Sequence, residues 1–497
     1  MPSSDKGLRV IIVGGGIAGL TLANILQYSN IDFLLLERRD VIDPQIGASI
    51  GIMPNENRIL DQLGCFDAID ELVETIDAVS EHWADGQKIG PSKELGAQVE
   101  RSFGYGFCFL DRRAVWKILY DHIHDKSKVL LNKHVARVEN AKDSVIVHTK
   151  DGESYHGDLV VGCDGIRSKV REERWRIAAP RLPQAVLERE RNAITAEYRC
   201  LFGISNAVES FAEGEGYNTY TKDRSIMSNV GKGGRVYWFC FEKYPRRLQN
   251  DEIPRYSDEE AVAFAEKFVH YAVGPQVKFR DLWEQRQTYA LVGLEEAAFE
   301  IWSDERIALV GDCVHKMTPN AGQGGNAAID YTLSRKCCHQ AKRTPRIKPI
   351  MKSANYATRM QALKGPREVA LIKYVQPVLK DSFANSMRHN FVSAERVNFL
   401  PLTQRSASGT TTFNPSQGPG QEESKATRAL KALPIFLLFT LTISTILKGD
   451  ISLAMFKPFF ESGKIIWDGG SVAVMSKFYG IKVVDMIFAP MVVAFAQ

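Results

Sequence analysis

Apolar residues near the start of the chain fall into short runs separated by one longer amphipathic stretch. Arg9–Val13 and Phe33–Glu37 are rich in β-branched residues or leucine and predict strands, and Ile17–Tyr28 between them predicts a helix. A strand–helix–strand unit of roughly thirty residues is typical of the right-handed crossover that joins parallel strands. The pattern therefore predicts an α/β domain at this end of the chain.

The middle of the chain shows a different pattern. Between Ala193 and Phe241 the apolar residues come in short runs, such as Ile194–Leu201 and Val236–Phe241, and glycine-rich turns separate these runs. That arrangement is typical of an antiparallel sheet. Further along, the apolar run Ile307–Val310 predicts another strand, which ends at a Gly-Asp pair.

Two changes of composition mark the C-terminal part. Residues 401–428 are rich in Ser, Thr, Gly, Pro and Gln and predict a flexible linker. Residues 429–497 are predominantly apolar, and sixteen uncharged residues lie between Lys431 and Lys448. A spanning helix uses about 20 apolar residues, and lysines at its ends can reach the interface. We therefore expect a membrane-associated helical tail with one or two spanning helices; the alternative is a buried helix of a small domain.

Charge and cysteine content exclude several classes of function. The 497 residues carry a formal net charge of +4, so the chain has no electrostatic footprint of a nucleic-acid-binding protein. The eight cysteines form no C-x-x-C pair, so we expect neither a zinc site nor a disulfide framework and favour a reducing compartment. The ten histidines form no metal-ligand pattern, and we interpret His315 as a structural residue.

A glycine motif follows the first predicted strand. Gly14, Gly16 and Gly19 form G-x-G-x-x-G between a strand and a helix, and Glu37 lies at the end of the next strand. The first glycine permits a tight turn, the second lets the backbone approach a pyrophosphate, and the third lets helix and strand pack closely. Glu37 is placed to accept hydrogen bonds from a ribose. The motif predicts a dinucleotide site but does not distinguish NAD from FAD.

Two further segments bear on the choice between NAD and FAD. "DLVVGCDGIRSKVR" places Asp164 after an apolar strand, and "IALVGDCVHKMTPNAGQGGNAAID" places Asp312 after another, followed by Gly324 and Gly325 at a helix start. With the N-terminal motif, these segments resemble the three signatures of the class A flavoprotein monooxygenases, the para-hydroxybenzoate hydroxylase group. The resemblance extends from about Leu8 to His339 and implies that the dinucleotide is FAD.

The resemblance also implies roles for individual residues. Asp164 would serve both FAD and the co-substrate NAD(P)H, and Asp312 would hold the ribityl chain of the flavin. Gly51, in "GASIGIMPNENRILDQLG", would lie close to the flavin ring, and Arg112 in "FLDRRAVWKIL" would reach the flavin, with its neighbour Arg113 as the competing assignment. The backbone N–H groups of Gly324 and Gly325 would lie near the flavin O2 atom.

The resemblance implies a Rossmann-like FAD-binding domain with an inserted substrate domain. We expect the FAD-binding domain at residues 1–185 and 286–400, with some strands of the substrate sheet in its first part. The antiparallel substrate sheet is expected at 186–285, the linker at 401–428 and the apolar tail at 429–497. The fold class is therefore α/β with α+β elements.

In this family NAD(P)H reduces FAD, and a flavin C4a-hydroperoxide then transfers one oxygen atom from dioxygen to the substrate. The middle sheet is expected to provide an apolar pocket that excludes water. On that sheet Arg199 or Tyr217 is a candidate to orient the substrate or to donate a proton, and we favour Tyr217 because it follows a Gly-Glu-Gly turn. The alternative is that both side chains only line the core.

Within the family, the motifs and the apolar extension look most like the fungal paxilline-type epoxidases of indole-diterpene and meroterpenoid biosynthesis. This resemblance implies epoxidation of the terminal alkene of a prenylated small molecule, with a membrane terpene cyclase as the next enzyme. It also implies a catalytic domain on the cytoplasmic side, anchored to the endoplasmic reticulum. Two alternatives stay open: an aromatic hydroxylase of the salicylate type, and a non-catalytic prenyl-binding carrier of the GDP-dissociation-inhibitor type.

Overall fold

Strands and helices of this computed structural model follow the apolar runs of the sequence. The structure describes residues 7–44, 49–94, 96–330, 339–376, 390–411, 413, 466–468 and 471–473. The strands are β1 Arg9–Val13, β2 Asp32–Leu36, β3 Ser49–Ile52, β4 Ala78–Trp83, β5 Lys93–Glu94, β6 Cys108–Asp111, β7 Val129–Leu130, β8 Val135–Asn140, β9 Val145–Thr149, β10 Ser154–Gly157, β11 Leu159–Gly162, β12 Thr195–Ser205, β13 Glu215–Thr221, β14 Arg224–Val230, β15 Val236–Gln249, β16 Ala272–Gly274, β17 Val277–Lys278, β18 Arg286–Ala298, β19 Ser303–Asp304, β20 Ile307–Leu309, β21 His315–Lys316, β22 Ile466–Asp468 and β23 Ser471–Ala473.

The helices alternate with these strands. They are α1 Ile17–Tyr28, α2 Pro54–Gln62, α3 Phe66–Asp70, α4 Gly96–Phe103, α5 Arg112–Asp121, α6 Lys169–Ala178, α7 Gln184–Arg191, α8 Asp258–Ala265, α9 Phe279–Glu284, α10 Gln323–Ile329, α11 His339–Gln361, α12 Pro366–Ala370 and α13 Gln404–Ser408. Short 3-10 turns cover Gly311–Cys313 and Pro319–Ala321, among others, and a π-helical turn covers Leu371–Val375.

A six-stranded sheet organises the N-terminal part of the fold. Its strand order is β19-β20-β11-β1-β2-β7, and β1 pairs in parallel with both β11 and β2, while β20 pairs in parallel with β11. The predicted strand–helix–strand unit is confirmed, with β2 beginning one residue earlier than expected. Because β1, β2, β11 and β20 are parallel, their carboxyl ends meet at one edge of the sheet. We call this edge the cofactor edge.

An eight-stranded sheet forms the second layer. Its order is β21-β18-β12-β15-β14-β13-β4-β5, and all its pairings are antiparallel except β13 with β4. The predicted antiparallel sheet in the middle of the chain is therefore confirmed. The sheet also takes β4 and β5 from before residue 186, and β18 and β21 from after residue 285.

The two faces of this sheet pack on different partners. The outer face packs on the aromatic residues of α8 and α9, and its buried side chains are Leu201, Ile226, Val236, Trp238, Cys240 and Leu291. The inner face packs on Phe109 of β6 and on Ala362, which follows α11; its side chains are Tyr198, Cys200, Phe202, Ile204, Met227, Tyr237, Phe239, Phe241, Val292 and Leu294. Since side chains alternate along a strand, neighbouring residues of β12 lie on opposite faces.

Residues 401–411 differ from the flexible linker that their composition predicts. They include α13, and the backbone N–H groups of Thr410 and Thr411 donate to the carbonyl oxygens of Arg101 and Ser102 at 3.0 and 2.8 Å. The guanidinium of Arg58 lies over the ring of Phe413 at 3.8 Å. These contacts hold the start of the predicted linker against α4. Composition does not reveal them because each depends on residues about 300 positions away.

Helix α11 is longer than predicted. The sequence predicts two helices, Thr332–Lys342 and Ala354–Leu363, and two prolines, Pro345 and Pro349, lie between them. The structure shows one helix from His339 to Gln361, and residues 331–338 lie outside the described residues. Ile347, Ile350 and Ala354 are buried at helical spacing against the six-stranded sheet, and this packing outweighs the loss of hydrogen bonds at the prolines.

The chain forms two compact units, Met1–Gln421 and Glu422–Gln497. In the second unit the structure describes the antiparallel pair β22–β23, where the sequence predicts no strand. The apolar segments that predict membrane helices lie outside the described residues. Within the described residues, no helix combines the length and the apolar character needed to span a bilayer.

Candidate cofactor and substrate site

The glycine-rich turn after β1 has a backbone that only glycine adopts easily. Gly14 has φ of +104°, and its N–H donates to the carbonyl oxygen of Leu36 at 2.8 Å. A Cβ at Gly14 would lie 2.6 Å from the carbonyl oxygen of Cys163, and a Cβ at Gly19 would collide with the carbonyl oxygen of Gly14. The turn is thus closed tightly between β1, β11 and α1, as the fingerprint predicts.

Gly16 caps α1 and leaves the start of that helix accessible. The N-cap residue is glycine, which has no side chain to accept a hydrogen bond from the first N–H groups of the helix. A Cβ at Gly16 would meet no atom of the described residues within 4 Å. The free N–H groups and the dipole of a helix N-terminus favour an anion. The open space and the uncapped N–H groups together fit a pyrophosphate.

Glu37 lies at the end of β2, next to the same turn. Its side chain is buried, and its two carboxylate oxygens accept hydrogen bonds from the N–H groups of Gly15 at 2.6 Å and Arg39 at 3.0 Å. These bonds fix the carboxylate beside the glycine turn, where the fingerprint places a ribose acceptor. Its role toward a ribose stays a prediction.

The strand β3 connects the cofactor edge to the inner face. Gly51 pairs with Phe109 of β6, and a Cβ at Gly51 would lie 3.1 Å from the ring of Phe109 and 3.2 Å from that of Phe107. The carbonyl oxygen of Gly51 accepts a hydrogen bond from Asn326 of α10 at 2.7 Å. Gly51 therefore lies between α10 and the inner-face aromatic residues, which fits the predicted position beside a flavin ring.

The two predicted glycines of α10 have different surroundings. A Cβ at Gly325 would lie 2.5 Å from Cδ1 of Ile50, so this position is filled by packing against β3. A Cβ at Gly324 would meet no atom of the described residues within 4 Å. The start of α10 therefore has one packed side and one open side, and Gly324 faces the open side.

Arg112 is the first residue of α5 and has an unsatisfied donor. Among the described residues its Nε is buried and finds no hydrogen-bond partner, and its guanidinium lies 4.8 Å from the ring of Trp116. Burial lowers the pKa of Arg112, and the nearby carboxylate of Asp312 opposes this shift. Arg113, the competing assignment, is exposed and bonds Asp43 at 3.0 Å. The geometry therefore favours Arg112, whose buried donor would be satisfied by an acceptor on a cofactor.

Asp312 lies in the 3-10 turn after β20, at the same edge. Its carboxylate accepts a hydrogen bond from Nζ of Lys316 and interacts with Arg112. The side chain is about 30% exposed, so one side of the carboxylate faces open space. This position fits the predicted acceptor for hydroxyl groups of a ribityl chain.

Asp164 is held by the protein itself. Its carboxylate accepts hydrogen bonds from Ser168 Oγ at 2.5 Å and from the N–H groups of Lys169 and Val170 at 2.6 and 3.2 Å. Sγ of Cys313 donates to the same carboxylate at 3.3 Å. The side chain thus caps α6 and links it to the Asp312 turn. Its predicted contact with FAD or NAD(P)H stays a prediction.

The two candidates for substrate chemistry lie on the face of the eight-stranded sheet that packs on α8 and α9. Nε of Arg199 donates to Glu242 at 2.9 Å, and its guanidinium lies 4.9 Å from the ring of Phe264 in α8. Tyr217 donates to Glu215, and its ring stacks on Phe211 at 4.6 Å. Both side chains therefore lie on the outer face, away from Gly51 and α10. Their predicted roles toward a substrate stay predictions, and their positions favour the alternative that both side chains only line the core.

A second group of candidate residues, which the sequence did not indicate, lies on the inner face. Along "EYRCLFGI" the inner positions are Tyr198, Cys200, Phe202 and Ile204. Strict alternation in that segment was the available signal, because Arg199 must then face the opposite way. Facing these residues are Phe107 and Phe109, which flank Gly51. The central inner face is therefore aromatic and apolar.

Comparison with known proteins agrees with this geometry. A family model described as an FAD binding domain matches residues 7–336. The FAD-dependent monooxygenase spyC of Aspergillus fumigatus is 38% identical over 82% of this chain and 91% of its own length. The FAD-dependent monooxygenase verC1 of Penicillium polonicum is 37% identical over 95% of this chain, which spans only 62% of that relative's length.

Solved structures show the same fold. Klebsiella pneumoniae HpxO, complexed with FAD and uric acid, superimposes with a TM-score of 0.65 at 22% identity, covering 78% of this chain and 97% of that one. A salicylate hydroxylase substrate complex gives a TM-score of 0.59 at 17% identity, covering 82% of this chain and 99% of that one. At these identities the likeness concerns the fold alone.

The cofactor edge supplies what FAD needs: an uncapped helix start beside Gly16, a fixed carboxylate at Glu37 and an unsatisfied buried donor at Arg112. These features, the matched FAD-binding family and the fungal relatives all indicate the same protein family. The chain belongs to the class A FAD-dependent monooxygenases.

Proposed function

We propose that this monooxygenase epoxidises the terminal alkene of a prenylated small molecule, with NAD(P)H as electron donor. The observation that carries the proposal is the chemistry of the inner face. Its central residues, around Phe109, are apolar or aromatic. Glu81 and Lys243, which the strand register places on the same face, are paired with Lys93 and Asp223. A prenyl chain is apolar and uncharged, and so it matches such a surface.

An aromatic hydroxylase would place different demands on the same face. Hydroxylation of a phenol is helped by a base that raises the electron density of the ring, and a substrate carboxylate is held best by a cation. The π bond of an alkene needs neither, because it attacks an electrophilic oxygen directly. The apolar centre of the inner face therefore supports an alkene over a phenol or a benzoate.

In this proposal the residues of the cofactor edge bind FAD, and the residues of the inner face bind the substrate. FAD, when bound, supplies the activation of dioxygen and the transfer of one oxygen atom. Gly16 and the start of α1 would bind the pyrophosphate, and Glu37 and Asp312 would bind hydroxyl groups. Arg112 would donate to the flavin. The inner-face aromatic residues would orient the alkene and exclude water, which otherwise diverts the oxygen to hydrogen peroxide.

We further propose that the enzyme works at a membrane, because a prenylated substrate partitions into lipid and residues 429–497 are predominantly apolar. In this proposal the catalytic unit faces the cytoplasm. The epoxide would be consumed by an enzyme that opens it into a ring, such as a membrane terpene cyclase.

The test is product analysis with purified protein, which is expected to be yellow and to oxidise NAD(P)H with oxygen uptake. The substrate panel contains a prenylated indole and a prenylated phenol, the same compounds with the terminal alkene saturated, and salicylate. With ¹⁸O₂ the alkenes are expected to gain one labelled oxygen at the terminal double bond, and the saturated analogues none. Ring hydroxylation of salicylate or of the saturated phenol would instead support the aromatic hydroxylase, and a colourless preparation that retains no FAD would support a carrier.

A further inference from the structure

We propose that a basic surface on α11, α12 and the π-helical turn docks on an anionic membrane. We call it the α11–α12 surface, and it is formed by Lys352, Tyr356, Arg367, Val369, Lys373 and Tyr374. Each of these side chains is exposed. This inference goes beyond the proposed reaction and does not depend on it, because docking is measured without turnover.

The segment that carries the surface is strongly basic. Residues 339–376 contain nine lysines and arginines and one acidic residue, Glu368. Four of the cations are paired with carboxylates: Arg343 and Arg346 with Asp330, and Arg359 and Lys364 with Glu197. Lys352, Arg367 and Lys373 form no salt bridge with a carboxylate in the described part of the chain. These three cations are therefore available to an anionic partner.

Large apolar side chains stand beside these cations. Tyr356, Val369 and Tyr374 are 50%, 36% and 52% exposed. Burial raises the pKa of Tyr356, while Arg367 lowers it and Glu368 raises it, so α12 lies next to this part of α11. Nζ of Lys373 lies 5.3 Å from the ring of Tyr374. Exposed tyrosines with neighbouring lysines are the composition found at membrane–water interfaces.

The other side of the same segment is buried in the protein. Leu363 and Ile372 pack with Tyr220 of β13 in the eight-stranded sheet. The segment is thus two-sided: its buried side holds it to the sheet that carries the inner face, and its exposed side is basic and apolar. The π-helical turn Leu371–Val375 interrupts the α-helical spacing at this place, and such turns recur at functional sites.

The charge of the α11–α12 surface favours an anionic membrane over a second copy of the chain as its partner. A second copy of the chain docking by two-fold symmetry would bring the three unpaired cations of each copy together, and that contact is repulsive. The cytoplasmic face of a membrane carries anionic lipids, which attract exposed lysines and arginines, while its interface accepts the tyrosine rings. We therefore assign the surface to an anionic bilayer.

The experiment is vesicle flotation with the full chain. Binding is compared on vesicles of phosphatidylcholine alone and on vesicles that also contain phosphatidylserine. Each basic residue near an anionic surface strengthens binding roughly fivefold. The double variant Lys352→Gln/Lys373→Gln is therefore expected to bind the phosphatidylserine vesicles about 25-fold more weakly than the parent chain. Tyr356→Ser/Tyr374→Ser is expected to weaken binding to both vesicle types.

A matched control removes the same charge elsewhere. Lys142→Gln/Lys150→Gln changes two exposed lysines beside β9 of the three-stranded sheet and is expected to bind as the parent chain does. Every variant retains residues 429–497, so any binding through the apolar tail is common to all. Equal dependence on phosphatidylserine in the two lysine variants would overturn the proposal. So would light scattering in which the tyrosine variant turns a dimer into a monomer with no change in vesicle binding.

Discussion

The cofactor edge and the inner face lie on either side of β3 but are built differently. At the cofactor edge, backbone N–H groups, two carboxylates and one buried guanidinium surround space that side chains leave open at Gly16 and Gly324. On the inner face, aromatic and aliphatic side chains fill a continuous surface around Phe109. One region binds through polar groups at fixed positions, and the other through shape and the exclusion of water.

Because of this difference, we expect the two regions to tolerate different changes. A pyrophosphate needs N–H groups at short range, so a single added side chain at the cofactor edge blocks it. An apolar substrate makes many weak contacts, so a change of size on the inner face is absorbed, whereas a buried charge is not. Changes at the cofactor edge should therefore alter FAD binding, and changes on the inner face should alter turnover with FAD still bound.

The largest effect is expected from Gly16→Val. The backbone of Gly16 has φ of −77°, which valine adopts, and no described atom lies within 4 Å of the added Cβ, so the fold should be retained. The added methyl groups would occupy the space of the pyrophosphate. We expect FAD affinity to fall by about 100-fold or more, which is about 2.7 kcal/mol. Fluorescence titration of the apoprotein with FAD measures this, with Gly7→Val as control; a normal flavin content in Gly16→Val would contradict the assignment.

The second effect concerns turnover alone. Phe202 is a partly buried inner-face residue, and Phe202→Asp places a charge on the surface assigned to the alkene. We expect kcat/KM for a prenylated substrate to fall by about 100-fold, because roughly 2.7 kcal/mol of transition-state stabilisation is lost. The FAD-to-protein ratio should not change.

The control for Phe202→Asp is a substitution at Arg199, which lies three residues earlier on β12 and on the opposite face of the sheet. Arg199→Met removes an ion pair with Glu242 on the outer face and should change kcat/KM by less than about threefold while lowering thermal stability. If Arg199→Met abolished turnover and Phe202→Asp did not, the two faces would have been assigned the wrong way round.

A third effect appears in the pH dependence of stability. His315 is buried behind the cofactor edge with neither ring nitrogen bonded to a described residue, and burial lowers its pKa from 6.5 to about 4. Below pH 6.5 the unfolded chain binds a proton there that the folded chain does not, so stability falls as the pH falls toward 4. At pH 5 the loss is about 2 kcal/mol.

Chemical denaturation at pH 7.5 and pH 5 checks this contribution in the parent chain and in His315→Gln. The variant should lose about 2 kcal/mol less on acidification than the parent. The exposed His270 supplies the control, since His270→Gln should leave the difference between the two pH values unchanged. An identical acid loss in His315→Gln would show that His315 is protonated in the folded chain.

The smallest effect separates Arg112 from Arg113. Arg112→Met removes the buried donor and is expected to weaken FAD binding about tenfold, as loss of one charge-assisted hydrogen bond does. Arg113→Met removes an exposed charge that pairs with Asp43 and should leave FAD affinity unchanged. Titration of the two apoproteins with FAD under the same conditions compares them directly. Equal losses of FAD affinity in the two variants would leave the flavin contact unassigned between Arg112 and Arg113.

Much of the cofactor edge could be predicted from the sequence because its chemistry restricts residue type. The positive φ at Gly14 requires glycine. The carboxylate at the end of β2 must come from an acidic residue at one position, Glu37. Strand–helix periodicity located α1 to the residue. The sequence favoured Arg112 but kept Arg113 as a competing assignment, since only the packing of α5 shows which guanidinium is buried.

The residues of the inner face were not predicted, because any apolar side chain can form such a surface and the residue type therefore gives no signal. Tyr217 and Arg199 were chosen for their chemical groups, yet strand alternation places both on the outer face. A register shift between Ala196 and Tyr198 adds to the difficulty of assigning faces along β12. The docking of residues 401–411 on α4 was missed for a related reason, because its hydrogen bonds join segments far apart in the sequence.

The measurement that tests the account most directly is the absorption spectrum of the bound flavin during titration with a prenylated substrate. If the inner face receives the substrate beside the flavin, the parent chain and Arg199→Met will both show a saturable change in the flavin bands, and Phe202→Asp will show none at the same concentrations. A saturable change that persists in Phe202→Asp but disappears in Arg199→Met would contradict the account.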